Sequence, residues 1–318
     1  MADPIKWNSK IILIKPEPLN AYGVDPVPTG ATNAMLLTNV QFQPMEGQEV
    51  SRNLERPYQG AQEQIPVGLY CVLTGDFELV GSGTPGVAPA WSPLIRACGA
   101  AEIITATTSV EYVPVSDAQE SVAVYFQIGV NRYVMLGARG TGVVTVNAAG
   151  IPVCRATITG LFTIPAVAAR PTVDLTKWMK PQAASKATTP VYTIDSIPFV
   201  GRDFSLNLGC DVQARMLFNQ ERILIVDRAE SIAMTVEAVP MTTYNPVARA
   251  GSITAEAPSM PIEVTHGTIA GRIVNIKANS CTQNRFGGSQ ENQKIEEWPL
   301  TFVPLPVTGN DQWKITLT

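Results

Sequence analysis

Hydrophobic and polar residues alternate in several stretches of the chain. In Leu69–Val80 one face is apolar or small, and the other face includes Asp76 and Glu78. The same period of two occurs in three further segments: 154–160, 231–238 and 312–318. This period is typical of a strand with one buried face, and 24 Gly and 25 Pro residues supply turns between such stretches. The pattern predicts a mainly β protein.

One stretch, Ala88–Gly99, has the spacing of a helix instead. Four of its apolar residues fall at i, i+3, i+4 and i+7: Trp91, Leu94, Ile95 and Cys98. Pro89 suits a first helical turn and Gly99 suits a left-handed stop. We predict a short helix that flanks or plugs a β-sandwich, and a weaker helical turn at Tyr244–Ala250.

The composition changes between Thr163 and Pro190, where Ala, Pro and Thr predominate without alternation. Such a segment is typical of a connection between domains. We expect its one tryptophan, Trp178, to dock on a neighbouring surface, in this chain or in another. The sequence therefore predicts four parts: an N-terminal arm (1–20), a first β-sandwich domain (21–165), a linker (166–189) and a second β-sandwich domain (190–318).

The segments on the two sides of this linker resemble each other. Pro44–Leu54 matches 198–208 at Pro, Gly, Ser, Asn and Leu. Three shorter matches follow in the same order: Phe77-Glu78 with Val236-Glu237, 134–138 with 274–278, and Phe162 with Phe302. Their order predicts an internal duplication of one β-domain, with the second copy degenerate. Two unrelated β-domains with similar turns are the alternative.

Length and charge argue against several classes of protein. The chain has 318 residues, of which 16% are charged, and a formal net charge of −4. It is therefore long enough for two cores and too apolar for disorder. No two basic residues are adjacent, which argues against a dedicated nucleic-acid binder. No apolar run reaches about 18 residues, and Met1–Trp7 lacks a basic region before an apolar stretch, so we predict neither a membrane span nor a secretory signal.

Candidate catalytic and metal-binding groups are few. His266 is the only histidine, and the five cysteines are scattered without a CxxC pair, which leaves little for imidazole catalysis or a zinc site. The glycine-rich run 81–86 lacks the Lys-Ser/Thr of a phosphate-binding loop. The acidic pairs 76/78 and 296/297 come without an identifiable partner. We expect reduced, mostly buried thiols, a loop histidine at a strand end, and neither enzyme activity nor a cofactor or metal.

Six strings in the first part of the chain are specific in combination. They are Ala21-Tyr-Gly-Val-Asp-Pro, Glu46-Gly-Gln-Glu-Val-Ser-Arg-Asn-Leu-Glu-Arg-Pro-Tyr58, Gly81-Ser-Gly-Thr, Ala88-Pro-Ala-Trp-Ser-Pro-Leu-Ile-Arg-Ala-Cys-Gly99, Glu111-Tyr-Val-Pro-Val-Ser-Asp117 and Gly137-Ala-Arg-Gly140. Together they resemble the tail tube (major tail) proteins of bacteriophages with long non-contractile tails, the siphovirus type. The resemblance runs from about Ala21 to Phe162, and the second part of the chain departs from it more.

The resemblance implies a structural protein of the virion. Tube proteins of this kind are β-sandwiches with a flanking helix, and they form rings that stack into a hollow tube for the passage of DNA into the host. Single-domain relatives form rings of six copies, so a chain with two copies implies a ring of three chains with pseudo-sixfold symmetry. The implied partners are further copies of the chain, a tape-measure protein, a tail terminator and a distal tail protein. Phage DNA would cross the lumen without specific binding, no membrane is involved, and the implied location is the virion tail, assembled in the host cytoplasm.

Loops and strand faces supply candidate contact residues for such a tube. The polar segment Asn53–Gln64 and its counterpart Gly209–Glu221 are long enough to reach an adjacent ring. The candidate stacking residues are Arg52, Glu55, Arg56, Tyr58, Arg215 and Phe218. The N-terminal segment Ile5–Lys15 is a second candidate for contacts between subunits.

A mildly acidic or neutral polar lining suits a channel that DNA must cross without sticking. The candidates for this lining are Asp76, Glu78 and Glu237, each on a polar strand face. Alternatively, these carboxylates face outward or meet the next subunit.

Two other functions stay open on the sequence. A tube component of a contractile tail or secretion apparatus would share the fold and differ in its partners. A carbohydrate-binding β-sandwich of a tail tip would need exposed aromatic residues on one face, whereas aromatic residues make up 7% of this chain and fall mostly at apolar positions of the alternation.

Overall fold

A computed structural model describes residues 4–252 and 256–318, which form 21 strands and three short helices. The predicted mainly β fold is confirmed. Met1–Asp3, part of the predicted N-terminal arm, lie outside the described residues. The first half of the chain, here residues 4–167, contains α1 (Gly30–Asn33), α2 (Ser92–Ala97) and ten strands: β1 (Lys10–Pro16), β2 (Ala34–Met35), β3 (Thr38–Ser51), β4 (Gln64–Glu78), β5 (Ala100–Thr105), β6 (Ser109–Pro114), β7 (Val122–Ile128), β8 (Asn131–Asn147), β9 (Val153–Phe162) and β10 (Ala166–Val167).

The second half, here residues 191–318, contains one helix and eleven strands. Helix α3 is Pro246–Arg249, and the strands are β11 (Val191–Ile194), β12 (Ile197–Pro198), β13 (Gly201–Asn207), β14 (Cys210–Leu217), β15 (Gln220–Arg228), β16 (Ser231–Glu237), β17 (Met260–His266), β18 (Val274–Gln283), β19 (Gln290–Asn292), β20 (Ile295–Pro304) and β21 (Lys314–Leu317). None of the described helices has the length and apolar character of a membrane span.

One antiparallel sheet runs through both halves in the order β3-β4-β9-β8-β13-β16-β20. Because side chains alternate between the two faces of a strand, the period of two in the sequence gives this sheet one apolar face. That face includes Leu73, Val144, Ile158, Leu206 and Ile232, all buried. A second layer, β17-β18-β21-β6-β5, adds its own apolar residues to the same continuous core.

Helix α2 places a large aromatic residue in this core. Trp91 directly precedes the helix, is buried, and lies 5.3 Å from the ring centroids of both Phe77 and Tyr112. Its Nε1 donates a hydrogen bond to the Val80 carbonyl at 2.8 Å. The helix begins at Ser92, later than the predicted Ala88, because Pro93 fits only in a first turn.

Helix α3 occupies four residues of the predicted turn at 244–250. The Asn245 side chain accepts hydrogen bonds from the backbone N–H groups of Val247 and Ala248, as a cap residue does. Tyr244, just before it, is buried with its ring centroid 5.3 Å from that of Phe199. Both halves therefore place a buried aromatic residue at the start of a short helix.

The two halves have the same order of strand pairing. In the first half the order is β1-β7-β8-β9-β4-β3. In the second half it is β11-β17-β18-β20-β16-β13. The paired strands also follow one another along the chain in the same sequence, and α2 and α3 fall at the same point of that sequence. This recurrence supports the interpretation of the chain as an internal duplication.

A register shift recurs at the same place in both halves. Between β7 and β8 it separates the pairs Val122–Ala138 and Val124–Met135. Between β17 and β18 it separates Met260–Cys281 and Ile262–Ala278. The shared shift makes Ala138 correspond to Cys281, whereas the sequence match paired Ala138 with Ala278. Three residues therefore separate the structural alignment from the sequence alignment on this strand.

The structural registers also test the other sequence matches. The cross-strand neighbours on β4 and β9 can be equated with those on β16 and β20. Phe77 then corresponds to Val236, and Ile158 corresponds to Phe302. The match of Phe77-Glu78 with Val236-Glu237 is therefore in register, and the match of Phe162 with Phe302 is displaced by four residues. Pro44–Leu54 and 198–208 lie on or beside corresponding strands but out of register, since the pairing equates Phe42 with Leu206.

The two halves meet in two strand pairings and share their core. Residues 143–147 of β8 pair with 203–207 of β13, and β21 pairs with β6. The two predicted β-domains thus do not enclose separate cores. The predicted linker lies along the first half: the Ala184 N–H donates to the Gly150 carbonyl at 2.7 Å, and Gln127 Nε2 donates to the Ala168 carbonyl at 3.0 Å.

The structure adds detail to two parts of the sequence analysis. Lys10–Pro16, within the predicted N-terminal arm, is the strand β1, which pairs with β7 along its whole length and buries Ile11–Ile14. It is a strand because four consecutive apolar residues gain burial on both faces. His266, predicted as a loop histidine at a strand end, is the last residue of β17 and is buried. The five cysteines, predicted to be mostly core residues, are all buried.

Candidate assembly surfaces

The long sheet that joins the two halves has a polar face opposite its apolar one. On β4, β9, β8 and β13 this face includes Thr74, Thr157, Thr145 and Ser205, all partly exposed. It continues to Thr301 on β20, which is exposed. Hydroxyl groups are therefore common on a surface seven strands wide, and the registers place more acidic than basic side chains on it.

The three residues predicted to line a channel all lie on this polar face. Asp76 and Glu78 are two residues apart on β4, and Glu237 follows Thr235 by two residues on β16. Asp76 Oδ2 accepts a hydrogen bond from Asn39 Nδ2 at 2.7 Å, and Arg155 Nε lies 4.0 Å from Asp76 Oδ1. Glu78 and Glu237 occupy corresponding positions of the two halves, so this face repeats an acidic residue.

The first projecting arm is the outer part of the β3–β4 ribbon with residues 52–63. Strand β4 pairs with β9 only from Tyr70 to Glu78, so Gln64–Val67 pair with β3 alone. The Gln62 side chain closes the loop, because its Oε1 accepts from the Leu54 N–H at 2.6 Å and its Nε2 donates to the Leu54 carbonyl at 2.8 Å. The predicted contact residues of this arm are all exposed: Arg52, Glu55, Arg56 and Tyr58.

The second projecting arm is the hairpin of β14 and β15. The sequence predicted a loop over Gly209–Glu221, and the structure forms strands there because Val212, Ala214 and Met216 alternate with polar residues. Its two-residue turn is Phe218-Asn219, with Asn219 in the left-handed region at φ 64°. Phe218 is fully exposed and Arg215 is exposed, so an aromatic ring forms the tip of this arm.

The two arms lie side by side. A methyl group at Gly68 on β4 would be 3.6 Å from Met216 Cγ on β14. A groove of about 660 Å³ separates the rest of the arms and is lined by Gln48, Val67, Arg215 and Phe218, among others. The structure therefore places the base of the first arm, at Gln48, Val67 and Gly68, beside the predicted stacking residues Arg215 and Phe218 of the second arm.

Two side chains of the first half hold the base of the second arm. The Tyr22 hydroxyl accepts a hydrogen bond from the Ile223 N–H at 2.6 Å and donates one to the Gly137 carbonyl at 2.9 Å. Arg139 Nη1 donates to the Ile223 carbonyl at 3.0 Å, and its guanidinium lies 5.3 Å from the Tyr22 ring centroid. Burial raises the pKa of Tyr22 and lowers that of Arg139.

Glu17 fixes the backbone around this contact, and the sequence analysis missed it. Its Oε1 accepts from the Gly137 N–H at 2.5 Å, and its Oε2 accepts from the Gly23 N–H at 2.8 Å and from Ser121 Oγ at 2.6 Å. Glu17 is buried, and no pattern in the neighbouring sequence indicated its role. The carboxylate is positioned for structure, since its partners are backbone amides and a hydroxyl.

Several strings that resemble tube proteins meet the second half. Gly83 N–H donates to the Gly271 carbonyl at 2.9 Å, and Arg228 Nη1 donates to the Gly99 carbonyl at 3.3 Å. Lys314 Nζ lies 3.1 Å from Glu111 Oε1. These strings, together with the one around Arg139, therefore form much of the junction between the halves.

A network of ionisable side chains lies beside α2. Glu102 Oε2 accepts hydrogen bonds from Ser92 Oγ and, at 2.8 Å, from Tyr112 Oη. Arg96 lies 3.5 Å from Glu102 and 2.6 Å from Glu120. Burial raises the pKa of Tyr112 well above its usual range, so its hydroxyl stays a donor and ties β6 to the helix.

The linker tryptophan and the single histidine have structural partners. Trp178 Nε1 donates to the Ala34 carbonyl at 3.1 Å, so Trp178 docks on the first half of its own chain. His266 Nε2 donates to the Gln182 carbonyl at 3.1 Å, and its Nδ1 lies 3.3 Å from the Thr189 hydroxyl. Both side chains therefore fasten the linker to the sheet.

No group of three or more His, Cys, Asp or Glu side chains suited to a metal ion occurs in residues 4–252 and 256–318. No protein-family model matches the chain, and a search of curated proteins finds no significant match. The resemblance to tail tube proteins therefore stays an expectation that depends on the strings quoted above.

Proposed function

We propose that this chain is the subunit of a bacteriophage tail tube, in which three copies form a pseudo-sixfold ring and rings stack into a conduit for DNA. The observation that carries the proposal is the seven-stranded sheet that continues through both halves. Its polar face repeats an acidic residue at Glu78 and Glu237. A sheet that continues from one repeat to the next is what the wall of a closed barrel requires.

The chemistry of the polar face supports passage of DNA rather than binding. Thr, Ser and a few carboxylates offer the phosphate backbone no cluster of cations to replace its counterions. Arg155, the basic residue nearest to the acidic pair on β4, lies 4.0 Å from Asp76, so a neighbouring negative charge offsets its own. DNA would therefore pass this surface without being retained.

The two arms support stacking of rings. They project side by side and expose Phe218 and Tyr58, and among the described residues no further contact explains these two aromatic side chains. Exposed aromatic side chains on adjacent projections favour contacts with another subunit. A tube protein of a contractile apparatus would use the same surfaces, and the neighbouring genes, a tape-measure gene without a sheath gene, would separate the two.

Negative-stain microscopy of the purified protein at high concentration tests the proposal, together with analysis of particles from an induced lysogen. We expect stacked rings with a central channel, sixfold end views and a mass of three chains per ring. Particle tails should contain the chain as an abundant protein. Tails that lack the chain would contradict the proposal, and rings with six chains would contradict the role given to the repeated halves.

A further inference from the structure

Strand β3 has one unpaired edge. It pairs with β4, and no other strand among residues 4–252 and 256–318 forms backbone hydrogen bonds with it. Edges of this length are usually protected by charges, proline or a cover. The outer part of β3 has Pro44, Glu46 and Glu49, and a register shift, which also protects an edge, lies between Thr38 and Gln41. Residues 41–43 (Gln-Phe-Gln) pair regularly with β4 and have neither charge nor proline. This inner segment of the edge is therefore open to another strand.

The corresponding strand of the second half is not open at this edge. Strand β13 pairs with β16 on one side, as β3 does with β4, and with residues 143–147 of β8 on the other. There Ser205 lies opposite Thr145. The first half thus supplies a strand at the place where β3 itself has none.

The registers identify the segment that would fill the place beside β3. In the first half, Glu78 lies opposite Val153, and Val153 lies opposite Thr145. In the second half, Glu237 lies opposite Glu297, and Glu297 lies opposite Gln290. Because Glu78 and Glu237 correspond, Gln290 on β19 holds the position of Thr145.

The same comparison of the two halves identifies the residue of β3 that would lie opposite Gln290. Ser205 lies opposite Ala233 on β16, and Gln41 lies opposite Thr74 on β4. Ala233 and Thr74 correspond, so Gln41 holds the position of Ser205. Within the described residues β19 pairs only with β20, so its outer edge is also open, and both Gln41 and Gln290 are exposed.

We propose that β3 of one chain pairs in antiparallel fashion with β19 of a second copy, with Gln41 opposite Gln290. The contact repeats between chains the junction that β8 and β13 form within the chain, and it extends the long sheet from one copy to the next. It joins two different surfaces, so repetition closes a ring or continues as an open chain. The proposal deepens the proposed function and rests on it for closure of the ring.

Mixing two variants, each with one introduced cysteine, tests this register. Chains with Gln41→Cys and chains with Gln290→Cys are mixed at high concentration and oxidised. The five native cysteines are buried, so the introduced thiols are the ones available for reaction. We expect a covalent dimer as the main oxidised product of this mixture. The matched control replaces Gln290→Cys by Glu291→Cys, which is exposed on the same hairpin but points to the opposite face, and it should give little dimer.

The outcomes separate this pairing from the proposed function. Unchanged thermal unfolding of each variant would show that the fold is intact. With intact variants, equal dimer from Gln290→Cys and Glu291→Cys, or no dimer from either, overturns the pairing. Tubes seen by microscopy in the same samples would then leave the proposed function standing. A specific dimer in open chains that never stack would support the pairing and contradict the tube.

Discussion

The two halves share a frame of paired strands but differ in the arm attached to it. Between β3 and β4 the first half has the ribbon with residues 52–63, whose loop is closed by one glutamine. Between β13 and β16 the second half has the β14–β15 hairpin, whose base is held by Tyr22 and Arg139. The two halves share the order of strand pairing and even one register shift, but their arms differ. We infer from this difference that the frame stabilises the fold, whereas the arms are available for contacts outside the chain.

Changes to the arms should have the largest effect, a loss of tubes, with almost no effect on folding. We expect deletion of residues 55–62, or Phe218→Asp at the hairpin tip, to leave the unfolding free energy within about 0.5 kcal/mol of the parent. These residues are exposed, apart from the partly exposed Gln62, whose hydrogen-bond partner Leu54 is itself exposed. Tubes should be absent by negative-stain microscopy. Phe218→Leu, which keeps an apolar tip, is the matched control and should retain them. Tubes of normal length from the deletion variant would remove the stacking role of the first arm.

Trp91→Ala and Trp298→Ala test whether the two halves unfold as one frame. Each tryptophan is buried in the shared core, so each change should lower the unfolding free energy by about 3–5 kcal/mol. Because the core and the long sheet are continuous, both variants should shift one common transition in denaturant. Two separate transitions, each moved by only one variant, would mean that the halves are independent.

Tyr22→Phe tests the contact that distinguishes the second arm from the first. Removing the hydroxyl leaves the Ile223 N–H without its partner at a partly buried site, which should cost about 1–3 kcal/mol. Hydrogen exchange at Ile223 should become faster. Tyr58→Phe on the exposed first arm is the control, and we expect no change in stability. An equal effect of both substitutions would argue against a specific clamp.

The smallest effect should be a pH dependence from His266, which lies where the linker meets the second half. Burial lowers its pKa in the folded protein, so the unfolded chain binds a proton more readily. Its contribution to stability is therefore complete above the unfolded pKa of about 6.5 and decreases as the pH falls below that value. Comparing unfolding midpoints of the parent and His266→Gln at pH 7 and pH 5.5 measures it. A parent that gains stability relative to the variant at pH 5.5 would contradict this sign.

The strands and the core could be predicted from the sequence because they depend on local alternation. Leu69–Val80 illustrates this, since its alternate residues Cys71, Leu73 and Phe77 are the buried ones. Two of the three short helices in the described residues, α2 and α3, were also predicted, from the spacing around Trp91 and the residues near Tyr244, whereas α1 was not. Each of these features follows from neighbours a few positions apart in the chain.

Features that depend on distant partners could not be predicted. Glu17 accepts a hydrogen bond from the Gly137 N–H, which is 120 positions away, and no local pattern predicts such a contact. Most of the sequence matches between the halves were also displaced by three or more residues from the structural alignment. The sequence matches depended on similar turn residues, whereas the structural alignment depends on which residues pair across the strands. The arm at Gly209–Glu221 is a different case: it was predicted as a loop although Val212, Ala214 and Met216 alternate with polar residues there, so a local signal was missed.

The burial of every thiol has a consequence for the chemistry of the surface. Burial raises the pKa of Cys71 and Cys210 to about 11 and that of Cys281 to about 12, and it raises the pKa of Cys98 and Cys154 as well. Disulfide exchange and alkylation proceed through the thiolate, which these groups scarcely form at neutral pH. The folded chain should therefore keep its thiols reduced in air, and unfolding, not oxidant, should limit their rate of reaction.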